Sequence, residues 1–185
     1  MIITLTGPSG VGKGHLTTQL QSAFAAKIIP WITTRPLRLD DVATNNRCYV
    51  THQEFDLMQK EGLLVNVQNL HGEKYGLEKK FINLSEQSGI YICEINSTNV
   101  LTLFPLLCHR FSVALVTDNL QLLKERIVRR EPIIGHEQLA DRLKIAVTEV
   151  ELIRINASLF HLQINVDMCH ESIIASTVIE AIKKV

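Results

Sequence analysis

The opening run IITLTGPSGVGKG, from Ile2 to Gly14, constrains the fold more than any other part of the chain. Ile2 to Thr6 is an apolar, β-branched run that predicts a buried strand, and it passes directly into a glycine-rich turn ending at Lys13. Leu16, Leu20 and Phe24 then recur at helical spacing, so strand, turn and helix follow without a break. Such a turn aims several backbone N–H groups at one point, where the helix N-terminus adds partial positive charge. Gly7, Gly10 and Gly12 allow positive φ and close backbone approach, Ser9 and Val11 complete the turn, and Lys13 is placed to reach β- and γ-phosphates. Gly14 and His15 stand where a hydroxyl that helps hold Mg²⁺ ordinarily follows the lysine. The His15 imidazole either donates to a phosphate or lies along the helix surface. An acidic residue at a strand end can still hold the metal through water, and Glu94 in ICEI is the candidate, the alternative being a carboxylate at the core boundary.

Further apolar runs at Ile90–Ile95, Phe111–Val116 and Leu162–Val166 alternate with helical stripes. The stripes are Leu120, Leu123 and Ile127; Leu139, Leu143, Val147 and Val150; and Ile174, Val178 and Ile182. The alternation predicts parallel βαβ units with helices on both faces of a sheet. The rhythm breaks between about Thr33 and Ser88, where polar, turn-rich pieces surround one helical pattern near Gln53–Lys60. It breaks again at RREPIIGH, Arg129–His136, where Pro132 and Gly135 stop either neighbouring helix and leave a basic segment suited to a lid.

The 185 residues fit one domain with a real core. Nineteen basic residues balance nineteen acidic ones, so no overall field draws the chain to nucleic acid or anionic lipid, and any anion site is local. No apolar run approaches the roughly 20 residues of a membrane span. Cys48, Cys93, Cys108 and Cys169 form no metal spacing and read as reduced thiols of a cytoplasmic protein. Oligomeric state, monomer or homodimer, is left open.

The motifs GPSGVGK, TTRPLR (Thr33–Arg38), Asp41, HGEKYG, RIVRR and the DRL of Asp141–Leu143, in this order, resemble the guanylate kinase family over nearly the whole chain. The resemblance implies an α/β P-loop NTPase three-layer fold with a parallel five-stranded core sheet, an inserted nucleoside-monophosphate-binding subdomain and a short lid. Within a single domain spanning 1–185, the core is then 1–32 and 89–185, the insertion 33–88 and the lid about 129–138. The implied activity is transfer of the γ-phosphoryl of ATP, with Mg²⁺, to GMP, dGMP or a related phosphate monoester. Arg35, Arg38 and Tyr75 match residues that grip the acceptor phosphate, with Gly72 and Gly76 shaping the turn. Arg126, Arg130 and Arg142 match arginines around the transferring group, although Arg126 and Arg130 alone would pass for a solvated helix face at i, i+4. Asn165 matches an asparagine near the adenine.

The departures gather at the acceptor. Asn66, Leu77 and Asn96 stand where the family reads guanine with glutamate, serine and aspartate, and Arg47 stands in place of a tyrosine. Trp31 replaces a serine and is either part of the site or core. Losing hydrogen-bonding groups from such a site removes discrimination. Two other outcomes follow: a sugar-phosphate kinase resembling ribose 1,5-bisphosphate phosphokinases, or an inactive guanylate-kinase-like binding module.

Overall fold

The computed structural model describes residues 1–37, 46–70, 72–86 and 89–185; Arg38 and Asp41 lie outside them. Five strands form one sheet, β1 (Ile2–Thr6), β2 (Lys27–Ile28), β7 (Tyr91–Glu94), β8 (Arg110–Val116) and β9 (Leu162–Asn165), in the order β2-β7-β1-β8-β9, with every neighbouring pair parallel. Side chains alternate across a strand, so each strand feeds two layers. Ile3 and Leu5 of β1 with Phe111, Val113 and Leu115 of β8 face Leu16 and Leu20 of α1 (Lys13–Phe24) and Ile174 and Val178 of α6 (Glu171–Ile182). Ile2 and the β7 residues Tyr91 and Cys93 turn the other way, onto Val100 and Leu103 of α3 (Val100–Leu103). Ala114 and Val116 meet Val150 and Ile153 of α5 (His136–Ile155) on that side. The result is the expected three-layer α/β core. Its two-residue strand β2 carries no signal in the sequence.

The stretch between β2 and β7 builds a second sheet, ordered β4-β3-β6-β5, from β3 (Trp31–Thr33), β4 (Arg47–Tyr49), β5 (Leu64–Leu70) and β6 (Glu73–Glu78). β3 runs parallel to β4 and antiparallel to β6, which pairs antiparallel with β5. Strand β3 spans the 32/33 junction that the sequence suggests. Helix α2 (His52–Lys60) covers this sheet through the fully buried Phe55. A Cβ on Gly76 would come within 3.2 Å of the Phe55 ring, which accounts for a glycine inside β6. A capping box starts α2: Thr51 Oγ accepts from Glu54 N, and the Glu54 carboxylate accepts from Thr51 N.

Two stripes shift from their sequence reading. In α4 (Leu120–Arg130), Leu123 and Ile127 are buried but Leu120 is exposed. In α5 the buried positions are Leu139, Ala146, Val150 and Ile153, while Val147 is exposed. The inward face of α5 uses the small Ala146, whose apolar signal is weak. A second face, including Ile145 and Leu152, lines a cleft between the sheets. No helix among the described residues is long and apolar enough to cross a membrane.

Candidate active site

The C-terminal ends of parallel strands expose the backbone groups that a sheet no longer pairs, and helices begin there, which makes this edge the natural ligand crevice. Here the loop after β1, Glu94 at the end of β7 and the second sheet enclose a cleft of about 870 Å³. Gly7, Ser9, Gly10, Gly12, Lys13 and Gly14 form one wall, and Arg35 and Arg47 the facing one.

The loop is held tightly against β8. A Cβ on Gly7 would fall 2.4 Å from the Leu115 carbonyl oxygen, so only glycine fits. Gly12, at φ 114, forms the N-cap of α1 without a side-chain cap, leaving the first-turn N–H groups free to meet an anion. The Lys13 ammonium donates to the Gly7 carbonyl at 2.6 Å and the Pro8 carbonyl at 3.1 Å. Burial pushes its pKa below the usual lysine value, the neighbouring Arg47 and Arg130 push the same way, and the charges of Glu94 and Glu149 oppose the shift.

Glu94 bears on both sheets. Its carboxylate accepts from Thr17 Oγ at 3.4 Å, and its backbone carbonyl accepts from the Trp31 indole at 2.6 Å. Trp31 is 6% exposed and belongs to the core. The Glu94 side chain faces the cleft beside the loop, and a hard cation bound there through water is compatible with that oxygen donor; the Gly14 side chain contributes none. His15 is exposed on the outer side of α1, with Nε2 3.9 Å from the Glu171 carboxylate, and borders a side crevice with Val11 and Arg126 rather than the main cleft.

The arginines occupy three different settings. Arg126 donates to the Gly10 and Val11 carbonyls at 3.3 Å each and to Glu171 at 2.9 Å, bracing the loop where it lines both the main cleft and the side crevice. Arg130 donates to Ser9 Oγ at 3.1 Å and to Glu131 at 3.1 Å. Arg142 forms a two-pronged pair with Glu131 at 2.7 and 2.9 Å and is not among the residues lining the cleft. The Asn165 side chain accepts from Asp167 N at 2.9 Å and caps the turn after β9.

On the acceptor side Arg35 is 9% exposed, donates to the Pro36 carbonyl at 2.9 Å and lies 5.5 Å over the Tyr49 ring. Arg47 donates to the Asn46 carbonyl at 2.7 Å; among the described residues no carboxylate lies within ion-pair distance of it. Asn96 lines the cleft. Tyr75 and Asn66 do not: Tyr75 is half-buried between Thr33 and Gln68 across the strands, and Asn66, at φ 51 in an irregularity of β5, accepts from Thr102 Oγ at 3.2 Å. Leu77, expected at the acceptor, is 1% exposed and packs with Trp31 in the second core cluster. It pairs with Trp31 across the strands, and its apolar side chain follows the indole inward.

Sequence reasoning missed Glu131 and Glu149. Glu149 on α5 lines the cleft and has its pKa raised by burial, with the Lys13 charge and the Ser97 backbone N–H opposing the shift. A signal for it existed in the spacing Asp141, Lys144, Ile145, Thr148, Glu149 and Leu152, a largely polar helical face directed into the cleft. Glu131 had none, since its partners come together only in three dimensions.

A family model described as guanylate kinase matches residues 1–175. The guanylate kinase of Streptococcus agalactiae serotype III (strain NEM316) is 29% identical over 157 residues, covering 83% of this chain and 75% of that protein. That of Thermosynechococcus vestitus is 32% identical over 179 residues, covering 94% and 90%. The crystal structure of guanylate kinase from Anaplasma phagocytophilum shares the fold at a TM-score of 0.70, covering 100% of this chain and 85% of that one at 16% identity. With loop, sheet order and cleft in place and a family match running through most of its length, the chain belongs to the guanylate kinase family of nucleoside monophosphate kinases.

Proposed function

We propose that the protein transfers the γ-phosphoryl of ATP to GMP, dGMP or a related phosphate monoester. The observation that carries this reading is the cleft itself, which brings Lys13, Arg35, Arg47, Arg130 and Glu94 to one space between the two sheets. Lys13 exchanges the Gly7 and Pro8 carbonyls for β- and γ-phosphate oxygens, and the α1 N-terminus binds the same chain of phosphates. Arg35, a planar fork fixed by Pro36 and Tyr49, grips the acceptor phosphate, and Arg47 adds a second cation beside it. Arg130, tied to Ser9, offsets charge on the equatorial oxygens during in-line transfer. Glu94 is the residue that would hold Mg²⁺ through water, and the ion's contribution there is to neutralise phosphate charge.

A sugar-phosphate acceptor is the second reading. Its support is the burial of Leu77 together with the additional cation Arg47, which leaves less to read a base and more to hold phosphate. ADP release with Mg-ATP separates the readings when GMP, dGMP, AMP, CMP, UMP and ribose 1,5-bisphosphate are supplied in parallel. GMP turnover well above the others is the expected result. Turnover of ribose 1,5-bisphosphate alone selects the second reading, and silence across the panel with ATP still bound selects a binding module.

A further inference from the structure

Glu131 is the first residue after α4, and its backbone is fixed at both ends: its N–H donates to the Ile127 carbonyl at 2.9 Å and its carbonyl accepts from Ile134 N at 3.0 Å. Among the described residues its carboxylate takes three charge-assisted hydrogen bonds, two from Arg142 and one from Arg130. The Arg130 nitrogen that reaches Glu131 is the same one that reaches Ser9 in the phosphate-binding loop. Arg142 spends both terminal nitrogens on Glu131, which holds its fork away from the cleft. The pair also closes the segment Pro132–Gly135, since Glu131 stands at its start and Arg142 lies in the second turn of α5.

We infer that Glu131 is an internal counter-ion that competes with nucleotide phosphate for Arg142 and Arg130, and so sets the affinity for ATP. This rests on the reading of the loop as an ATP site. A carboxylate and a phosphate present the same paired oxygens to a guanidinium, and the phosphate carries more charge, so the two exchange on one fork. The Glu131 and Arg142 side chains are each 19% exposed, so their attraction is only partly screened by solvent and the competition is felt. With its backbone pinned, Glu131 needs only a side-chain rotation to release Arg142 towards the loop. Glu131 is thus a positioning residue whose charge opposes binding, the reverse of what a merely structural ion pair does.

Isothermal titration of Mg-ATP into wild type, Glu131→Gln, Arg142→Ala and the double variant tests this. Glu131→Gln is expected to lower the Kd about tenfold, equivalent to about 1.4 kcal/mol. That gain is expected to vanish in the double variant, because the freed Arg142 fork supplies it. Glu131→Ala, read in the same way, covers the case in which the glutamine variant folds poorly. An unchanged or higher Kd in the folded Glu131 variants overturns the inference, as does a gain that persists without Arg142. Wild-type binding with an unmoved Glu131→Gln overturns this inference alone, whereas absence of Mg-ATP binding by both proteins overturns the ATP reading with it.

Discussion

Lys13 sits between opposing influences: burial favours its neutral form, while Glu94 and Glu149 hold its proton. Because the proton is held less firmly than on a free lysine, the alkaline limb of the kcat/KM profile is expected below the ordinary 10.5. Glu149→Gln, which keeps an acceptor for Ser97 N–H and removes one of the opposing charges, is expected to move that limb to still lower pH; a limb that stays in place removes Glu149 from this role. Lys13→Met is expected to lower kcat by roughly three orders of magnitude with the circular dichroism spectrum preserved, since a cation at the transferring phosphate is lost. At Leu77 the expectation is about stability. Leu77→Ser puts a small polar group into the Trp31 cluster and is expected to destabilise by about 2–4 kcal/mol with no gain in KM for GMP, as denaturant melts and kinetics would report. The loop residues were legible in the sequence because their geometry is local to one turn. Leu77 was misplaced because sequence position shows the strand but not which way it faces.

The elements differ in how openly the sequence declares them. Strands β1, β7 and β8 are covered on both faces and read as apolar runs; β2 is two residues long, and in the second sheet β3 and β4 are three residues each while β5 and β6 are half-polar, so neither carries a run. The break in β5, where the register with β6 shifts between Val65 and Gln68, further blurs its alternation. Where β8 and β9 meet, His161 closes a reciprocal contact: its N–H donates to the Ser112 carbonyl at 2.9 Å, and its Nδ1 accepts from Ser112 N at 3.1 Å. Acceptance at Nδ1 requires the proton on Nε2, hence a neutral ring. Burial lowers the His161 pKa, and the Arg110 charge adds to the effect. The unfolded chain therefore binds the proton more readily, and stability contributed here is present above the ordinary 6.5 and lost as pH falls through the window beneath it. The melting temperature of wild type is expected to drop more between pH 7 and pH 5 than that of His161→Asn; equal drops would remove His161 as the source.

At the scale of the whole molecule, the two sheets meet through few covalent links, and much of the cleft's charge lies on opposite walls, with Lys13 on one side and Arg35 and Arg47 on the other. Phosphates placed between them screen that like-charge repulsion and add contacts to both walls. Saturation is therefore expected to stabilise the fold: at a hundredfold excess over Kd, ATP contributes about 2.7 kcal/mol, or roughly 5–10 °C in melting temperature for a chain of this size. A thermal shift series against ATP concentration measures it, and a flat series would count against nucleotide binding in the cleft.

Trp31 is the single tryptophan of the chain, and its indole N–H is anchored to the backbone carbonyl of Glu94, where β3 of one sheet touches the end of β7 in the other. Indole emission shifts with the hydrogen bond and the polarity around the ring, so the protein carries a native optical reporter at the joint between its sheets. Fluorescence excited at this one residue follows movement of the second sheet against the core in real time, with no label attached, and rapid mixing can time that movement separately from the arrival of nucleotide at the loop.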